Sequence, residues 1–413
     1  MIRALLRRWA VDPPLVTALL LLSAFGIAMI YSAGVLETPS PVTEGAWLRQ
    51  VAWLGLALVG FTVASRIPAR WYEWVAVPAY VFSTILLAAT LVVGTGAGTA
   101  EGVESFIDLG FIRFQPVEIA KLATILVLAR YLGSRAEEPT QLRRLVAPAL
   151  LAGVPLGLVV LQPDLGSAQA FIGILFATLY WAGTPVWLLV LLASPGLGLI
   201  LSFDTLLWSG YFVVLVVYLY INRYRLFLVE SVALVLTNLA AGTVAQPLWN
   251  SLARYQQNRI LVFLDPNVDP RGAGYQIIQS LVAIGSGGLA GKGFTLGTQK
   301  QLDFLPEQHT DFIFAVIGEE WGFLGTAVTI LAFGFVLARL VKLSQDSADP
   351  FAGLVIFGIF GLWLVHIFVN IGMTVGLVPI TGIPLPFLSY GGTFLLMSWL
   401  AAGLVVRLGH EEP

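Results

Sequence analysis

The chain has 413 residues, of which 58% are hydrophobic and only 11% charged, and its formal net charge is −2. Soluble domains carry roughly 25% charged residues, so this composition excludes an ordinary water-soluble protein. A charge so near zero points to no partner through bulk electrostatics, and no nucleic acid is expected; the lack of cysteine excludes disulfides, thiolate metal sites and a cysteine nucleophile.

Apolar runs of about twenty residues recur along the chain, long enough to cross a bilayer, and they do not alternate as barrel strands would. The sequence therefore predicts an all-α polytopic membrane protein, one integral membrane domain over 1–413. Ile2 to Trp9, with Arg3, Arg7 and Arg8, reads as a short interfacial helix. The run from Pro14 to Tyr31 is longer than a signal core and reads as an uncleaved first span. About twelve spans follow from hydropathy. Their expected limits are 14–31, 47–65, 72–94, 116–132, 144–161, 167–183, 185–202, 205–221, 226–245, 311–341, 352–377 and 383–407.

The connections alternate in charge. One set holds Arg66 and Arg70, then Arg135, Arg143 and Arg144, then Arg223 and Arg225, then Arg339 and Lys342, then Arg407. The other holds Glu37, Glu44, Glu101, Asp108 and Asp164. The positive-inside rule makes the first set cytoplasmic, with both termini inside and a long loop, 246–310, outside. A connection of that length is functional or disordered more often than not, and its apolar patches predict order against the membrane face.

Gly94–Gly98 lacks the βαβ context of a dinucleotide site. Phe114 to Lys121 opens the fourth span, with Pro116 suited to the first helical position. Glu118 and Lys121 stand at i, i+3 and can pair on one face. That pair reads equally as a helix-stabilising bridge or as a buried pair shaping a polar cavity. Arg113 lies just outside, at headgroup depth. Gln162–Pro163–Asp164–Leu165–Gly166 is a turn whose acid either caps the next helix or lines an outer cavity.

The 246–310 loop supplies the cations Arg254, Arg259, Arg271, Lys292 and Lys300, which suit phosphate or diphosphate groups as well as lipid headgroups. Its Gly285–Gly293 stretch lacks the spacing and hydroxyl residue of a P-loop, so nucleotide binding is rejected and Gly287 and Gly288 read as tight turns. The loop ends in Pro306–Glu307–Gln308–His309–Thr310–Asp311, and an apolar run starts at once with Phe312. Asp311 is either a capping acid in a first turn or a general base in a partly desolvated site. Deeper in the same span, Glu319 and Glu320 each cost about 2.5–3.5 kcal/mol if charged at the bilayer centre. They read as structural, either neutral or paired with a base such as Lys121 or Arg130. The three histidines, His309, His366 and His410, have no ligand spacing, so no histidine metal site is predicted.

Taken together, these segments resemble the SEDS family (shape, elongation, division and sporulation) over nearly the whole chain. The resemblance is carried by Asp265–Pro266, Gly272–Ala273–Gly274–Tyr275, Gln279–Ser280, Gly285–Gly288, Gly291–Gly293, Gly297–Thr298–Gln299 and Phe304 to Phe312. It continues through Asn370 to Gly392, notably Val378–Pro379, Gly382, Pro384, Pro386 and Ser389–Tyr390–Gly391–Gly392. The Gly-Thr-Gln and Phe-Leu-Pro-Glu wording is similar to the elongation branch rather than the division branch. Val117, Leu281 and Phe394 depart from the family pattern, and residues 203–248 look like a helix pair inserted into a ten-helix core.

The resemblance implies a peptidoglycan glycosyltransferase that polymerises lipid II beside a class B penicillin-binding protein and other elongation-machinery membrane proteins. It places the family's essential acid on Asp311, its acid–lysine pair on Glu118 and Lys121, and its Tyr-Gln-x-x-Arg segment on Tyr255, Gln256 and Arg259. Arg113, Gln256, Arg259, Lys292 and His309 are the candidate substrate or diphosphate ligands. No organic cofactor is expected; a divalent cation, Mg or Mn, has room beside a diphosphate. A lipid II flippase, or a non-catalytic scaffold for the crosslinking enzyme, are the competing classes.

Overall fold

The computed structural model describes residues 12–36, 43–96, 105–108, 110, 113–135, 137–222, 227–270, 272–301, 305 and 307–410. The expected Ile2–Trp9 helix and the loop charges Glu37, Glu101, Arg223, Arg225 and Arg271 lie outside these residues. The helices are α1 Pro13–Ala33, α2 Ala46–Ala64, α3 Ala69–Val93, α4 Pro116–Gly133, α5 Leu142–Leu161, α6 Leu165–Trp181, α7 Val186–Leu201, α8 Thr205–Ile221 and α9 Leu228–Ser251. They continue with α10 Arg254–Leu264, α11 Ala273–Ser286, the single turn α12 Thr298–Gln301, α13 Ile313–Asp346, α14 Pro350–Thr374 and α15 Gly392–Leu408. A two-stranded ribbon, β1 Ile107–Asp108 against β2 Arg113–Phe114, precedes α4.

Among the described residues, seven helices are long and apolar enough to cross a membrane, and α6, α7, α8 and α15 are shorter apolar helices. Helix α4 carries Glu118, Lys121 and Arg130 and is the most polar of the helices at an expected span. Each expected span falls on one of these helices. Many large apolar side chains on α2, α3, α8 and α9 are exposed, as a lipid-facing surface requires. The protein is a multi-pass helical membrane protein.

Several helices start on the same device. Asp12, Asp164, Asp204 and Asp349 each accept a backbone N–H of the following turn, at 3.0, 2.9, 2.9 and 3.1 Å. Proline follows directly at α1 and α14, where its missing N–H costs nothing. Helix α14 is the centre of the bundle, almost entirely buried against α4, α6 and α13, while α2 packs on α15. Helices α7, α8 and α9 form a peripheral group. Its polar joint is buried Asn238, whose amide donates to Ser194 Oγ at 2.9 Å and accepts from Tyr211 at 2.8 Å. In lipid such a joint holds because neither group has water to turn to.

The long connection is largely helical rather than irregular, and α9 runs through Pro247 to Ser251 before it begins. Its glycine-rich part does more than turn. Helix α13 breaks at Gly322, which has φ 61° and ψ −157°. Residues 288–293 fill the break: Lys292 and Gly293 donate their backbone N–H groups to the carbonyls of Glu319 and Glu320 at 3.0 and 2.9 Å, and Gly288 and Leu289 accept from Phe323 and Leu324 at 2.9 and 3.1 Å. The loop thus satisfies the backbone groups that the break frees. Gly322 sits in a backbone region open essentially to glycine alone, and a Cβ there would stand 2.4 Å from Gly291 N. Gly322→Ala is expected to cost at least about 2 kcal/mol, read as a lowered melting temperature in detergent.

Candidate active site

Asp311 lies in a tight turn ahead of α13. The N–H groups of Thr310, Asp311 and Phe312 all converge on the carbonyl of Glu307, which itself has φ 54°. Two other segments frame this turn through its backbone. Asn370 of α14 donates from its amide to the Asp311 carbonyl at 2.9 Å and to the Ile383 carbonyl at 2.7 Å. Ser389 donates to the Thr310 carbonyl at 2.6 Å and accepts the Leu385 N–H at 2.8 Å. Tyr390 N–H reaches the His309 carbonyl at 2.9 Å. Gln50 of α2 in turn holds Ser389 and Gly391, each at 3.2 Å.

The frame spends the turn's backbone and leaves the carboxylate free. The Asp311 side chain is half-buried, and no hydrogen bond to it is formed among the described residues. Burial pushes its pKa up to about 7; Glu307 and Asp164 add to the rise with their negative charge, and Arg259 opposes it. Asp164 caps α6, and its negative charge bears on Asp311. Gly382 faces the acid so closely that a Cβ there would lie 3.2 Å from Oδ2.

Of the expected ligands, Arg259 is the cation brought to bear on this acid. Its guanidinium stands 5.7 Å from the Tyr255 ring centroid. The Tyr255 hydroxyl is buried with no hydrogen-bond partner among the described residues, beside the charges of Arg259 and Asp164. Gln256 is turned inward and caps its own helix, accepting the Ala253 N–H at 3.0 Å. His309 is buried, its ring 5.4 Å from that of Tyr390. Arg113 is exposed on β2, and no described contact joins it to Asp311.

Lys292 is engaged elsewhere. It binds Glu319 at 2.7 Å, and Glu319 also accepts the Gln299 N–H at 2.9 Å. Lys300 is fully buried and binds Glu320 at 2.8 Å, with Ser32 donating to the same acid at 2.6 Å. Glu319 and Glu320, expected to be either neutral or paired with a base such as Lys121 or Arg130, are paired instead with Lys292 and Lys300. Their bases come from the loop that fills the α13 break, a nearer source than another span.

Glu118 and Lys121 do pair, at 2.7 Å, both buried. Beside Glu118, His366 and Phe394 lies a small cavity of about 10 Å³, the lower limit for a single water. An apolar groove of about 940 Å³ runs between α1 and α13, lined by residues such as Phe25 and Trp321, and Asp311 is not among its lining residues. Sequence reasoning missed Gln50, Asn370 and Tyr390 as frame residues, together with Arg49, whose Nε donates to the Tyr390 hydroxyl at 3.1 Å. The signal was present as a polar Arg49–Gln50 pair inside an apolar run.

Fold and site together define a multi-pass membrane protein with a half-buried carboxylate, Asp311, that has no hydrogen-bond partner among the described residues. The chain belongs to the cell cycle protein family that comprises FtsW, RodA and SpoVE, whose model matches residues 14–230 and 200–413. It is 35% identical over 393 residues to the peptidoglycan glycosyltransferase MrdB of Escherichia coli K12, covering 95% of this chain and 92% of that one. Its fold is similar to that of a solved chain in a peptidoglycan synthase complex that coordinates polymerization and crosslinking, with TM-score 0.69, 32% identity and 97% coverage of both chains. The rod shape determining protein RodA of Thermus thermophilus matches with TM-score 0.62 and 28% identity, over 97% of this chain and 96% of that one.

Proposed function

We infer that this protein is a peptidoglycan glycosyltransferase that polymerises lipid II for cell elongation, with Asp311 as its general base. The observation that carries the reading is the Asp311 carboxylate, fixed through its backbone and without a hydrogen-bond partner among the described residues, where burial pushes its pKa up to about 7. A base works best with a pKa near the operating pH. Asp311 takes the proton of the acceptor sugar's C4 hydroxyl as that oxygen attacks the anomeric carbon of the lipid-diphosphate-linked donor. The bond from that carbon to the diphosphate oxygen breaks, its electron pair leaves with the diphosphate, and the configuration inverts. Arg259 faces the negative charge that develops there.

Positive-inside charges put both termini in the cytoplasm and Asp311 outside the bacterial inner membrane. A class B penicillin-binding protein then works alongside, crosslinking the glycan. Among the described residues no three acidic or histidine side chains converge to hold a metal.

Purified protein given lipid II, without a partner and without a second leaflet, is expected to yield glycan chains on gels. Movement of lipid II across a bilayer without chains would replace this reading with a flippase. The rate should fall about tenfold per pH unit below pH 7 as Asp311 takes up its proton.

A further inference from the structure

His366 is fully buried in α14, and the reaction described above gives it no role. Its two ring nitrogens have different partners. Nε2 lies 3.3 Å from Lys121 Nζ, and Nδ1 lies 3.1 Å from the Pro384 carbonyl oxygen. An ammonium only donates and a carbonyl only accepts. Both contacts are satisfied together by one form of the ring alone, the neutral tautomer with its proton on Nδ1. The ring is further fixed by stacking on Phe394, centroids 5.0 Å apart.

The two partners belong to different parts of the molecule. Lys121 is half of the buried pair with Glu118. Pro384 belongs to the segment 381–385, which includes Gly382 facing the Asp311 carboxylate and Ile383 sharing Asn370 with the Asp311 carbonyl. Proline has no N–H, so its carbonyl is the one backbone handle at that position. We propose that His366 is a positioning residue for the polymerisation step: its neutral imidazole ties the Glu118–Lys121 pair to the Pro384 carbonyl and so sets where the 381–385 segment holds Asp311. This rests on the reading of Asp311 as the base. The buried ion pair then acts on the chemistry from a distance, through a joint with one donor and one acceptor.

Two substitutions separate positioning from packing. His366→Phe keeps a planar ring and loses both nitrogens. His366→Gln keeps one donor and one acceptor on one planar group. His366→Phe should lower kcat for lipid II polymerisation at least tenfold with KM within threefold of wild type, and His366→Gln should recover most of the rate. The inference is overturned if His366→Phe keeps its rate, or if both variants lose it equally.

A second measurement does not depend on activity. With three histidines in the chain, side-chain ¹⁵N NMR of labelled protein can be assigned by the signal missing in His366→Gln. The Nδ1–H tautomer is expected, and it should be perturbed by Lys121→Met. An Nε2–H tautomer or a charged ring overturns the inference. Failure of the enzymatic reading looks different: wild type makes no glycan, and the tautomer still decides.

Discussion

Asp311→Asn is expected to cut polymerisation by a factor of at least about 10² while making the fold more stable above pH 7. The two effects have one cause. Burial raises the Asp311 pKa from the ordinary 3.8 to about 7. Between those values the folded protein holds a proton that the unfolded chain has released. The native state therefore binds more protons, and stability falls as pH rises through this window and levels off above it. Asn carries no charge to desolvate. At pH 8 the variant should gain on the order of 1–3 kcal/mol, after discounting for the open side of the carboxylate. Unfolding in detergent across pH 5.5–8, set beside glycan synthesis by the same samples, measures both. Polymerisation within tenfold of wild type would remove Asp311 from the base role. Lower stability of the variant at pH 8 would show that the carboxylate is held by favourable contacts after all.

The second large effect concerns Lys300. Lys300→Met should destabilise the protein by about 3–5 kcal/mol, because it strands the Glu320 carboxylate in a site with no access to solvent. Replacing both, as Lys300→Met with Glu320→Leu, should restore most of that loss, since a buried pair gains little over apolar residues of similar volume. Lys292→Met should cost less. Its side chain is 25% exposed, and Glu319 keeps the Gln299 N–H. A double-mutant cycle on thermal unfolding checks the coupling; equal losses in the single and double variants would mean that Lys300 matters only for its packing.

The helices at the expected spans were legible because each is a long apolar run bounded by charges, Pro or Gly, and the rule that makes such a run a helix is local. Even polar α4 could be placed, from Pro116 and the i, i+3 spacing of Glu118 and Lys121. Asp311 was legible from its position between a polar loop and an apolar run. What the chain does not spell out locally is pairing at a distance. Gly322 reads as one of many membrane glycines, and nothing within a helical turn of it tells of a loop lodged in a break. The partners of Glu319 and Glu320 lie about twenty to thirty residues upstream, beyond any i, i+4 rule. Lys292 read as a diphosphate ligand for the same reason: a lone loop cation shows its charge but not its counter-ion. His366 was passed over because it lacked metal-ligand spacing, although a histidine in an otherwise apolar helix has to find a partner somewhere.

The break in α13 also bears on how the chain is made. Lys292 and Lys300 leave the ribosome before Glu319 and Glu320, so the neutralising bases are synthesised ahead of the acids they serve. A nascent α13 presented to the insertion machinery alone would bring two bare carboxylates into lipid. One that enters with residues 288–301 already folded against it brings two closed pairs. Biogenesis of this protein thus favours delivery of the loop and the helix as one hairpin.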